Sequence, residues 1–132
     1  MAANQADAAT YSQGVRIWMA VMSIAILSSV IFAPWKAGAR WILAATLVNI
    51  LGLILIKAFF PAFSRTMIGT SVHLIFWTPV LWMIWRPSAA TRRISDFEGR
   101  SGLIYRVWFL AASAIMATSL VLDARTAIGW AL

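Results

Sequence analysis

Asn49, Lys57, His73 and Asp123 are polar side chains that fall inside, or at the very end of, long apolar runs of this chain. Hydrocarbon makes an ionisable or strongly hydrogen-bonding group costly, so such a residue turns toward other helices, water or a ligand and becomes a candidate binding group. Lys57 and His73 fall at similar depth on consecutive antiparallel segments, where together they could hold an anionic group such as a carboxylate or a lipid phosphate. Asp123 closes the last apolar run on the same side and would orient a cation by ion pairing. Arg16, Arg65 and Arg125 share that side, so the expectation is a small polar vestibule there. Each residue also has a plainer reading. Lys57 can carry its ammonium to the interface on its long stem, His73 can be a hydrogen-bonded structural group, and Asn49 can join two helices through its amide.

Catalytic constellations are missing from the sequence. His73 is the only histidine, hence the only obvious general base, and no spacing of Ser, His and Asp marks a nucleophile with its base. A non-catalytic protein is therefore expected. One imidazole cannot supply paired histidine ligands to a haem, and zinc needs three or four ligands that these residues do not assemble, so no metal or other cofactor is expected. The chain has no cysteine, which removes disulfides, iron–sulfur clusters and thiol nucleophiles. There is no phosphate-cradling glycine loop either. All four acids lie in a tail, a loop or a helix end, which disfavours the proton-coupled pumps that use a mid-span carboxylate.

The elements that must position these residues are four apolar segments, at 17–35, 41–60, 66–85 and 103–122. Each approaches the roughly 20 residues that a helix needs to cross about 30 Å of hydrocarbon. With 62% apolar and 11% charged residues, the composition is far from that of a soluble domain. The fold class expected is all-α: a polytopic integral membrane protein, folded as one four-helix transmembrane bundle over residues 1–132. The first and second connectors are short, so consecutive helices are antiparallel neighbours. Pro34 stops or kinks the first segment, and Pro79 frees the carbonyl of Ile75 in the third, predicting a kink there.

Residues 86–102 form the one long polar connector. Within it Ser95-Asp96-Phe97-Glu98 matches a capping box, which predicts a helix starting near Ser95. Ile94, Phe97, Ile104 and Trp108 would share its face and lie along the membrane surface, with Gly99 and Gly102 weighing against such a helix. Ala37-Gly38-Ala39 resembles a signal cleavage site. The apolar run before it, at about 19 residues, exceeds the roughly 7 to 15 of a signal peptide, so a span is the reading.

A net charge of +7 would suggest nucleic acid in a soluble protein, yet the cations sit at the ends of the apolar segments and read as topology signals. No nucleic-acid partner is expected. Lys36, Arg40, Arg86, Arg92, Arg93, Arg100 and Arg106 lie on the side of the first and third loops, against Arg16, Lys57, Arg65 and Arg125 on the terminal side. This bias puts those loops in the cytoplasm and the termini, Met1 and Leu132, outside a bacterial inner membrane. Trp35, Trp41, Trp82, Trp85 and Trp108 would form an aromatic belt at the loop boundary, with Trp18 and Trp130 at the other. Ala25 with Ser29, Ser113 with Ala117, and Ala114 with Thr118 are small-xxx-small pairs that let helices approach closely. The expected function is a structural or accessory subunit packing with itself or a partner membrane protein. The alternative is a small oligomeric transporter or channel whose vestibule binds an anionic solute or lipid headgroup.

Overall fold

The computed structural model describes residues 10–132, so Met1, Asp7 and the rest of the first nine residues lie outside the described part. Among the described residues there is no strand. Four helical stretches are long and apolar enough to cross a membrane: Gln13–Phe32, Ala37–Phe59, Arg65–Trp85 and Gly99–Ala131.

The first stretch is two pieces, α1 (Gln13–Leu27) and α2 (Ser29–Phe32), joined at Ser28. Ser12 caps α1 by accepting from the amide of Val15. At the joint the Ser28 hydroxyl donates to the carbonyl of Ala25 (2.7 Å), and Trp108 from the last helix donates its indole N–H to both Ala25 O (3.0 Å) and Ser28 Oγ (2.8 Å). The helix ends before Pro34, as a proline two residues past the last turn should make it. After a turn, α3 (Ala37–Phe59) runs back. Ala45, Asn49, Gly52 and Ile56 all lie on its buried or half-buried side, and a Cβ on Gly52 would sit 3.1 Å from Val72, so α3 packs closely on the third stretch.

That third stretch comprises α4 (Arg65–Val72), a π-helical turn at His73–Trp77, and α5 (Thr78–Trp85). The wide turn lies directly ahead of Pro79. Proline offers no donor to the carbonyl four residues back and its ring crowds that carbonyl, and a local change of winding absorbs both. The irregularity expected at Pro79 is therefore a π turn.

The loop after α5 holds a 3-10 turn (Pro87–Ala89) and α6 (Ala90–Asp96). The capping-box expectation is corrected here: a helix ends beside Ser95 instead of starting there, and the next helix, α7 (Gly99–Ala131), follows Glu98, whose side chain makes no cap. Two glycines explain the difference. Gly99 adopts φ +76°, a left-handed conformation that side chains disfavour, and a Cβ on Gly102 would lie 2.5 Å from the Phe97 carbonyl carbon. Together they permit a tight corner where a capped, continuous helix would have needed other residues. Helix α7 extends well past the 103–122 expected; its 33 residues span about 50 Å, more than a bilayer core.

The two ends of the bundle are packed differently. At the loop end, Phe32, Trp85, Phe97, Tyr105, Trp108 and Phe109 form a continuous ring cluster with centroid separations of 4.9–5.9 Å. Lys36 ties this end by donating to the backbone carbonyl of Asp96 (3.0 Å) and pairing with its carboxylate (3.5 Å). At the terminal end no comparable aromatic cluster fills the middle among the described residues, and a cavity opens between the helices.

Candidate functional site

The terminal-end cavity has a volume of about 410 Å3 and is walled by all four stretches, from Val15, Trp18, Met19 and Met22 on α1 through Asn49 and Leu53 on α3 to Thr70 and His73, then Ser119, Leu122 and Asp123 on α7. Ligand pockets commonly fall between roughly 300 and 1,000 Å3 with a few convergent polar groups on apolar walls, which is the composition found here. Tyr11 and Thr66 join across its rim by a 2.9 Å hydrogen bond between their hydroxyls.

Its polar centre is the carboxylate of Asp123. His73 Nδ1 lies 2.7 Å from Oδ2, the Thr70 hydroxyl donates to Oδ1 at 3.1 Å, and the Ser119 hydroxyl donates to Oδ2 at 3.4 Å. Sequence spacing makes this convergence local on each helix: Thr70, His73 and Trp77 share one inward face, and Ser119 lies one turn before Asp123 on α7. His73 and Trp77 are buried and their rings stack with centroids 3.9 Å apart. The other ring nitrogen, His73 Nε2, is buried without a hydrogen-bond partner, as is the Trp77 indole nitrogen. The imidazole is thus tied to the carboxylate through Nδ1, while its ring lies on the cavity wall.

Of the four candidate residues, the fold brings three to the cavity: Asn49, His73 and Asp123. Lys57 is elsewhere. Its ammonium donates to the carbonyl of Phe63 at 2.8 Å, closing the turn between α3 and α4, where a cation also complements the C-terminal end of a helix. Arg65, at the first position of α4, is the cation that lines the cavity among the described residues. Asn49 is half-buried and lines the cavity. Thr70 and Ser119 were not singled out from sequence. The signal was present, since each sits one helical turn from a candidate residue.

The small-residue pairs divide: Ala25 with Ser29 turns inward, Ser113 is buried while Ala117 is exposed, and Ala114 with Thr118 is exposed. Ser29 and Ser113 are buried, and Ser113 accepts the indole N–H of Trp85 at 3.1 Å. Among the described residues no group of three His, Asp or Glu side chains could hold a metal ion. In comparisons with known proteins, no family model, no curated protein and no solved structure matches this chain.

Proposed function

We propose that this chain is a non-catalytic, multi-pass membrane protein that binds an amphiphilic molecule with an anionic head group in the terminal-end cavity, acting as a carrier or as one unit of a small oligomeric transporter. The observation that supports this reading is the cavity itself, about 410 Å3 and walled by all four apolar stretches. The head of such a ligand would meet Arg65 at the rim, while its apolar part would lie along Trp18, Met22 and Leu53 toward Asn49 deeper on the wall. Asp123, already accepting from His73, Thr70 and Ser119, is the fixed centre that ties α7 to the third stretch at the cavity wall. What favours a binding role over an accessory-subunit role is the convergence of Asn49, Arg65 and Asp123 from three helices on one cavity.

Calorimetry with decanoate in a neutral detergent tests the proposal. Saturable binding, weakened in both Asn49→Leu and Arg65→Gln, is the expected result, with melting temperatures of the variants close to that of the parent. Absence of binding, or binding unaffected by either change, would contradict it. Decanoate flux into reconstituted vesicles then separates a transporter from a binding protein alone.

A further inference from the structure

A second cavity lies at the opposite end of the bundle, and its lining is cationic. Arg86, Arg92 and Arg93 line a space of about 70 Å3 together with Ala37 and Gly38, the first two residues of α3. A single water needs roughly 10 to 15 Å3, so this space admits a group of several heavy atoms.

Each part of the wall has a stated chemistry. Arg93 is fixed in place, donating Nη1–H to the carbonyl of Ile84 at 2.7 Å and lying over the Trp85 ring at 4.8 Å. Arg86 lies over the Trp82 ring at 5.8 Å, and its Nε is buried without a hydrogen-bond partner. A buried guanidinium donor left unpaired is costly, and an anion in the cavity would relieve that cost. Arg92 is exposed at the rim. The first turn of α3 adds backbone N–H groups at Ala37 and Gly38 that the side chain of Lys36 does not cap, at the positive end of a 23-residue helix. The one acid present, Asp96, is already paired with Lys36.

We propose that this cavity binds a phosphate group, gripped by Arg86, Arg92 and Arg93 against the start of α3. Guanidinium groups match phosphate geometry and remain charged throughout the working pH range. The phosphate has two sources: the headgroup of an anionic phospholipid, which rests on the membrane reading above, or a soluble phosphate compound, which does not. Arg86, Arg92 and Arg93 thereby gain a role beyond topology signalling.

The test uses the full chain in neutral detergent, titrated separately with inorganic phosphate, dihexanoyl phosphatidylglycerol and zwitterionic dihexanoyl phosphatidylcholine. Arg92→Gln is the informative variant because its side chain is exposed and its loss leaves the packing of α6 intact. Arg125→Gln, at the other end of the bundle, is the control. Binding of at least one phosphate probe, weakened about tenfold or more in Arg92→Gln and unchanged in Arg125→Gln, is expected. Binding of inorganic phosphate assigns a soluble source, and binding of phosphatidylglycerol alone, without phosphatidylcholine, assigns the lipid. No binding of either anionic probe, or equal affinities in Arg92→Gln and the parent, overturns the proposal. Neither outcome bears on decanoate binding at the terminal end.

Discussion

His73 and Asp123 stand 50 residues apart in the chain and 2.7 Å apart in the fold, joining α4 and the π turn to the far end of α7. Both side chains are largely buried, at 10% and 16% exposure. The carboxylate accepts from Thr70 and Ser119 as well, so its removal leaves several largely buried donors without their acceptor. Asp123→Ala should lower stability by about 1–3 kcal/mol, and Thr70→Val, which removes one of the bonds, by about 1 kcal/mol. Thermal melting in detergent reads both. Unaltered melting in the two variants would mean that the contact does not hold the helices together.

The second interhelical tie is Trp108, whose indole N–H reaches Ala25 O and Ser28 Oγ at the joint between α1 and α2. Trp108→Phe keeps a ring beside Phe32 and Tyr105 but loses the donor. A loss of about 0.6–2 kcal/mol is expected, the range for interhelical hydrogen bonds in membranes. Combined with Ser28→Ala, the effects should be less than additive, because the two groups share one interaction. Strict additivity would remove the bond from the account.

Glycine substitutions separate the corner at α6 and α7 from the rest of the last helix. Gly102→Ala forces a Cβ to within 2.5 Å of the Phe97 backbone and should destabilise by about 1–3 kcal/mol. Gly129→Ala meets nothing within 4 Å and should be neutral or stabilising, by up to about 1 kcal/mol from helix propensity. Equal effects of the two changes would show that the corner is not tightly packed.

Orientation is tested with reporters. The seven cations on the loop side against four on the terminal side predict cytoplasmic loops and exterior termini. A fusion at Leu132 should report an exterior location, and Ser95→Cys should resist labelling from outside intact cells. The reverse pattern would invert the topology and place the terminal-end cavity on the cytoplasmic side.

Much of the architecture was legible because apolar run length is a strong signal: the four stretches were expected close to where they occur, though the last helix continues past Leu122 through Asp123 and Arg125. Polarity alone misleads at that point, since a helix projecting beyond hydrocarbon needs no apolar residues to stay helical. Ser95 and Glu98 had the right spacing for a cap, but the corner was decided by Gly99 and Gly102, whose value lies in contacts invisible to a local pattern. Depth matching pairs Lys57 with His73 and puts Asp123 only on the same side, whereas the fold joins His73 to Asp123. Depth could not tell which side of α3 Lys57 takes, because a long flexible stem reaches the nearest free carbonyl, here Phe63. Trp85 and Trp108 were read as interface anchors from position; each also donates to a neighbouring helix, a pairing that position along one helix does not encode.

The central claim is that a polar, ligand-accessible cavity runs into the apolar bundle at the terminal end. Because the chain has no cysteine, single-cysteine variants need no background removal. Asn49→Cys places a thiol on the cavity wall, and Leu51→Cys places one at a 55% exposed position that faces away from the core, toward lipid in the proposed arrangement. The direct measurement is the rate at which a membrane-impermeant maleimide labels each variant in proteoliposomes, with and without decanoate. The account predicts labelling of Asn49→Cys, slowed by decanoate, and little labelling of Leu51→Cys. Asn49→Cys as unreactive as Leu51→Cys, or labelled at a rate indifferent to decanoate, would contradict it.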